Sequence, residues 1–115
     1  MTATKQDITI EQGATYSDTL AVGTAYNTYT ARGKIRDAFG GNVLADFTGG
    51  TVTAGSVSIS LTAAQTAALT ATDVQSDQDR EVPLGFYDIE LVSGDLVTVV
   101  RVRQGKVILS REVTA

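Results

Sequence analysis

Apolar and polar residues alternate along most of this chain, the period-2 signature of strands that bury one face. The pattern is clearest near the C-terminus, where Tyr87, Ile89 and Leu91 are interleaved with Asp88 and Glu90. Ser93-Gly94-Asp95 predicts a reversal there, because Gly tolerates positive φ and short polar side chains bond the turn backbone. On the return strand the alternation directs Leu96, Val100 and Val102 inward and Arg101 and Arg103 outward. Gly105 interrupts the run at a position suited to a bulge or sharp bend. Beyond it Val107, Leu109 and Val113 alternate with Lys106, Ser110 and Glu112, so this end of the chain predicts three consecutive strands.

The same reading extends upstream. Ile8-Thr9-Ile10 is a short strand with a turn at Gln12-Gly13, and Ala14 to Val22 places Tyr16, Leu20 and Val22 on one side. Asp18 falls on that same side and therefore requires an edge position or a partner. Tyr29, Ala31 and Ile35 alternate with Thr30, Arg32, Lys34 and Arg36, giving a strand with a basic outer face. The Asp37 to Asn42 stretch, with Gly40-Gly41-Asn42, is a turn into a strand whose inward residues are Val43, Ala45 and Phe47. Gly49-Gly50 closes that strand, and Thr51 to Ala54 and Ser56 to Leu61 continue the β pattern.

At Thr62 the period changes. Thr62-Ala63-Ala64-Gln65 matches a capping box and predicts a short helix from Ala63 to Leu69. So short a helix is unstable alone, so Ala64, Ala67, Ala68 and Leu69 are expected to pack on the sheet. Ala71 to Pro83, acidic and without periodicity, predicts an exposed loop. About seven or eight short strands and one short helix make the chain mainly β, a single antiparallel β-sandwich or small barrel spanning residues 1–115.

Composition narrows the chemistry. At 115 residues the chain forms one domain, and a domain of this size buries roughly two-thirds of its unfolded surface. It contains no Cys and no His, which removes disulfides, thiolate sites, the usual base of a serine triad and the commonest zinc ligand. A formal charge of −4 gives no electrostatic pull toward nucleic acid. The N-terminal residues lack the apolar core of a signal peptide and no run is long enough to span a bilayer, so a soluble product made in the cytoplasm is expected, with no membrane partner.

The acidic stretch with Asp73, Asp77, Asp79 and Glu81 offers oxygens to a calcium ion, but it lacks the Gly and ligand spacing of an EF-hand, and a solvated loop is the plainer reading. Asp88 and Glu90 share a strand face, as paired glycosidase carboxylates would, but no further acid, base or nucleophile motif accompanies them. No catalytic, cofactor or metal site is therefore expected. The candidate contact residues are basic: Arg32, Lys34 and Arg36 on one outer face, and Arg101, Arg103 and Lys106 on or near another. If those strands are neighbours they form a positive patch for an acidic partner or another copy. The alternative is cross-strand pairing with Asp88, Glu90 and Glu112. The Gly40-Gly41 and Gly49-Gly50 pairs lack a phosphate-loop pattern and are turns.

Taken in order, Ile10 to Tyr16, Tyr29 to Arg36, Ile59 to Leu69, Gly85 to Leu91 and Gln104 to Thr114 resemble the small N-terminal module of bacteriophage baseplate upper and fibre-anchoring proteins. The resemblance covers nearly the whole chain and rests on the order and spacing of its segments. It implies an immunoglobulin-like sandwich that docks onto a phage tail, which in those relatives is followed by a fibre or receptor-binding region. The expected function is that of a non-catalytic virion protein, assembled in the host bacterial cytoplasm. Its partners would be tail, baseplate or portal-proximal proteins and copies of itself. A capsid decoration (cement) protein is the alternative within the same class. A carbohydrate-binding module is the alternative from another class, although such modules usually rely on aromatic platforms and this chain has no Trp.

Overall fold

The computed structural model describes residues 3–71 and 78–114. Its strands are β1 (Thr4–Lys5), β2 (Ile8–Glu11), β3 (Tyr16–Ala21), β4 (Thr30–Arg36), β5 (Val43–Gly49), β6 (Ser56–Leu61), β7 (Glu81–Val92) and β8 (Val99–Ser110). One helix, α1 (Ala63–Ala67), follows β6. The eight strands form one curled sheet in the order β1-β8-β7-β4-β5-β6-β3, with β2 also on β8. The protein is thus mainly β, as its alternation predicts.

Pairing is antiparallel except at the N-terminus, where β1 and β2 run parallel to β8. This corrects the wholly antiparallel expectation. A parallel neighbour comes from a distant part of the chain, and no local turn signal announces it. The C-terminal stretch also differs from expectation, because β7 and β8 are two strands of twelve residues each and not three shorter ones. No register shift falls at Gly105, which pairs with Tyr87 inside β8. A Cβ there would overlap the Gln6 carbonyl oxygen and lie 2.7 Å from the Gln6 carbonyl carbon, so glycine admits the N-terminal segment against the strand. Glu81 to Pro83, expected in a loop, begin β7. Asp73 and Asp77 lie outside the described residues.

The core is built from the inward positions of every long strand, including Ile10, Ile35, Ile59, Leu61, Ile89, Leu91, Val107 and Leu109. Three register shifts interrupt strict alternation: the pairing skips Leu44 between Ala45 and Val43, Leu84 between Pro83 and Gly85, and Val102 between Arg101 and Arg103. Each skipped residue is apolar and packs inward or partly inward. A bulge moves every residue beyond it to the other face. Val43 is exposed for this reason, contrary to expectation, while Leu44 packs against the core.

Helix α1 has the predicted capping box, with the Thr62 hydroxyl accepting from Gln65 N–H and the Gln65 amide oxygen accepting from Thr62 N–H. Its docking differs from expectation. Thr66 and, just past the helix, Leu69 are buried, whereas Ala64, Ala67 and Ala68 are exposed. The Thr66 hydroxyl accepts the Gly13 N–H at 3.0 Å and lies 2.8 Å from the Ala14 carbonyl, so it satisfies the turn between β2 and β3. An alanine could bury area there but could not bond that turn.

Candidate interaction surface

The six basic residues singled out in the sequence are divided by the sheet. β4 and β8 are not neighbours, since both flank β7. Register sets Arg32 beside Glu90 and Glu90 beside Arg101, and it sets Lys34 beside Asp88. Acidic residues of β7 therefore lie between the two basic rows. Arg32 bonds Glu90 at 3.1 Å, Arg101 lies 3.7 Å from Asp88, and Lys34 pairs with Asp46 on β5. Cross-strand pairing thus accounts for Arg32 and Arg101, and Asp46 is a partner that the sequence reading did not foresee. Arg36 donates to the Gly41 carbonyl at 2.7 Å and so braces the turn that follows β4. Lys106 is exposed, and its backbone N–H donates to the Asp7 carboxylate at 2.9 Å.

Arg32, Lys34 and Arg36, but not Arg101 or Lys106, line an open groove of about 590 Å³ over β4, β5 and β7. Three cations (Arg32, Lys34, Arg36) face three carboxylates (Asp46, Asp88, Glu90), so the groove carries alternating charge of no net sign. Phe39, in the turn after β4, stacks on Phe86 with ring centroids 4.6 Å apart and keeps 86% of its surface exposed. Sequence reasoning passed over this pair. Its only signal was an aromatic residue inside a glycine-rich turn.

Arg103 departs from the expected outward face. The bulge at Val102 turns it inward, opposite Ile89, and leaves its side chain only 11% exposed. There it bonds Asp18 at 2.8 Å and donates to the Tyr87 hydroxyl at 3.0 Å, with the Tyr16 hydroxyl at 3.5 Å. The Tyr87 hydroxyl in turn donates to the Gln6 carbonyl. One guanidinium therefore ties β8 to β3 and β7, and through Tyr87 to the N-terminal segment. It is also the partner that Asp18 requires. Burial opposes the charge on Arg103, but the bond to Asp18 and the nearby tyrosines outweigh it and hold the group above its ordinary value.

No known protein-family model matches the chain, and no curated protein matches it. Among the described residues, no group of three or more Asp and Glu side chains is placed to hold a metal ion. No described helix is long and apolar enough to cross a membrane.

The tyrosines of the Arg103 cluster give the fold an alkaline limit. Burial raises the Tyr87 and Tyr16 hydroxyls above the ordinary 10.0, with Arg103 opposing the shift in both. Below that ordinary value both folded and unfolded chains keep these protons. As pH rises through it the unfolded chain ionises first, so stability falls until the folded-state values are passed. Urea unfolding at a series of pH values is expected to show this loss in the wild type, and a shallower loss in Tyr87→Phe. Equal slopes would contradict the assignment.

Proposed function

We propose that this chain is a non-catalytic structural module of a bacteriophage virion, present in several copies and joining tail, baseplate or portal-proximal proteins. The observation that carries the reading is the ordered resemblance of five segments to the fibre-anchoring module. Those segments fall on the end of β2 with the start of β3, and on β4, β6 with α1, β7 and β8. The resemblance therefore runs through the framework and is not confined to one loop. Within this reading the curled sheet is an immunoglobulin-like sandwich, with β3 and β6 across the core from β2, β8, β7 and β4.

The charge-balanced outer face of β4, β7 and β8 is its contact surface. Alternating stripes of charge meet a partner with complementary stripes in one orientation only, which favours correct register over raw affinity. Arg32→Glu combined with Arg101→Glu is expected to reduce incorporation into particles while leaving the circular dichroism spectrum unchanged. Arg103 is left intact because it holds the core together. Incorporation at the wild-type level would contradict this surface assignment. A capsid decoration protein would use the same fold and face, and copy number separates the two.

A carbohydrate-binding module keeps one specific support: Phe39 backs onto Phe86 and leaves its other face open beside polar groups. A sugar stacks on such a face. Binding on a glycan array that Phe39→Ala abolishes would establish this reading in place of the first.

A further inference from the structure

Four of the six basic residues meet a carboxylate. Arg32 bonds Glu90, Lys34 pairs with Asp46, Arg101 lies beside Asp88, and Arg103 bonds Asp18. The other two, Arg36 and Lys106, form no ion pair among the described residues. Acids close to them in the fold are occupied by backbone. The Asp37 carboxylate takes the Asn42 N–H, and the Asp7 carboxylate takes the N–H of Lys106 itself.

These two cations share one cross-strand row. Arg36 pairs with Phe86, and Phe86 pairs with Lys106, so an aromatic residue of β7 stands between them. Phe39 stacks on Phe86 and keeps almost all of its own surface exposed. The row is therefore an open aromatic ledge with a cation on either side. A complementary ligand carries two anionic groups with a flat apolar group between them, since charge-assisted bonds and ring stacking then act together.

The rest of the groove decides the class of ligand. Beyond Phe86 it is lined by Asp46, Asp88 and Glu90, and the whole chain carries a formal charge of −4. A uniformly anionic polymer, such as a nucleic acid or a polyuronide, would be repelled as it ran along that face. A polypeptide can place acids over this row and other residues beyond it.

We propose that this row anchors an acidic segment of a partner protein, with an aromatic side chain on the open face of Phe39 and carboxylates on Arg36 and Lys106. The inference rests on the reading of the outer face as a contact surface and gives the partner its chemistry. Adjacent strands lie about 4.8 Å apart, which sets the Cα atoms of Arg36 and Lys106 roughly 10 Å apart. Two acids three residues apart in an extended segment span about the same distance. The matching pattern is thus acid, aromatic, any residue, acid.

The test titrates the isolated, isotope-labelled chain with the capped peptide Glu-Phe-Ser-Glu and follows its amide signals by NMR. Saturable shifts are expected at Phe39, Phe86 and Lys106. The peptides Gln-Phe-Ser-Gln and Glu-Ala-Ser-Glu should each bind about fivefold more weakly or worse. Phe39→Ala and Lys106→Met should each weaken Glu-Phe-Ser-Glu by about threefold or more and leave the thermal midpoint in place, because neither side chain is buried. Absence of saturable shifts at millimolar peptide, equal binding of the three peptides, or wild-type affinity in both variants would overturn the proposal. So would tighter binding of oligothymidylate or oligogalacturonate at the same signals, which would give the row to a nucleic acid or an acidic glycan. Binding is measured on the isolated chain and incorporation in particles, so the two readings fail separately. A chain that binds the peptide but is absent from particles refutes the virion reading alone, and one that is present in particles but ignores the peptide refutes this anchor alone.

Discussion

Arg103→Met is expected to destabilise the isolated domain by about 2–4 kcal/mol, lowering its thermal midpoint by roughly 10–20 °C. The methionine replaces the stem of the side chain but none of its donors. It removes a bond to Asp18 and a bond to the Tyr87 hydroxyl, and it leaves the inward-facing Asp18 carboxylate without its cation. Asp18 retains 40% exposure, which lets water offset part of the loss and keeps the estimate below that of a fully buried pair. Arg101→Met is the comparison. Arg101 is itself 54% exposed and lies 3.7 Å from Asp88, so the loss there should stay under about 1 kcal/mol. Urea denaturation of the two variants checks the contrast. Equal effects would mean that Arg103 does not hold the curled sheet closed. A double-mutant cycle with Asp18→Asn should then return a coupling energy well above the noise for the wild-type pair.

Gly105→Ala is expected to be nearly as damaging, at about 2–3 kcal/mol, although it adds only a methyl group. The obstacle is backbone: the new Cβ would meet the Gln6 carbonyl, and the Asp7 amide nitrogen lies 3.0 Å away. The N-terminal segment would have to lift from β8, breaking the Tyr87 bond to Gln6 and loosening the β1 and β2 pairings. Amide exchange is expected to accelerate at Lys5 to Ile10 before it does so in β4 or β7. Gly94→Ala serves as the control. A Cβ at Gly94 meets nothing, so its effect should stay within about 0.5 kcal/mol.

Much of the fold was legible because its strands bury one face. Tyr87, Ile89 and Leu91 are buried as their alternation predicts, and Thr62 and Gln65 form the capping box that their spacing announces. Counting by twos fails wherever the ladder skips a residue. The bulge at Val102 turned Arg103 from a predicted surface cation into the centre of a part-buried cluster, and the skip at Leu44 exchanged the faces of Val43 and Leu44. Nothing in the local pattern marks those positions, since a bulge is fixed by what the partner strand offers. Leu96, expected inward, sits in the turn at φ 65 and is 77% exposed, because Ser93 and Asp95 bond a wider loop than the tight reversal foreseen.

The candidate surface was half legible for a related reason. Its basic residues were visible, but whether they formed a positive patch depended on which strands are neighbours. Placement of β7 between β4 and β8 intersperses Asp88 and Glu90 with the cations and makes the face balanced. The partner required by Asp18 was a physical demand that the sequence made without naming the residue that meets it. Arg103 lies 85 positions along the chain and becomes its neighbour only when the sheet curls.

The most direct test of the virion reading is quantitative mass spectrometry of purified particles from a culture that carries this gene, expressed as copies of this chain per major capsid subunit. The account predicts that the chain is present at a low ratio, as a small symmetric ring in the tail or its adaptor would give. A ratio near one would place it on the capsid instead. Its absence from the particles would contradict the central claim.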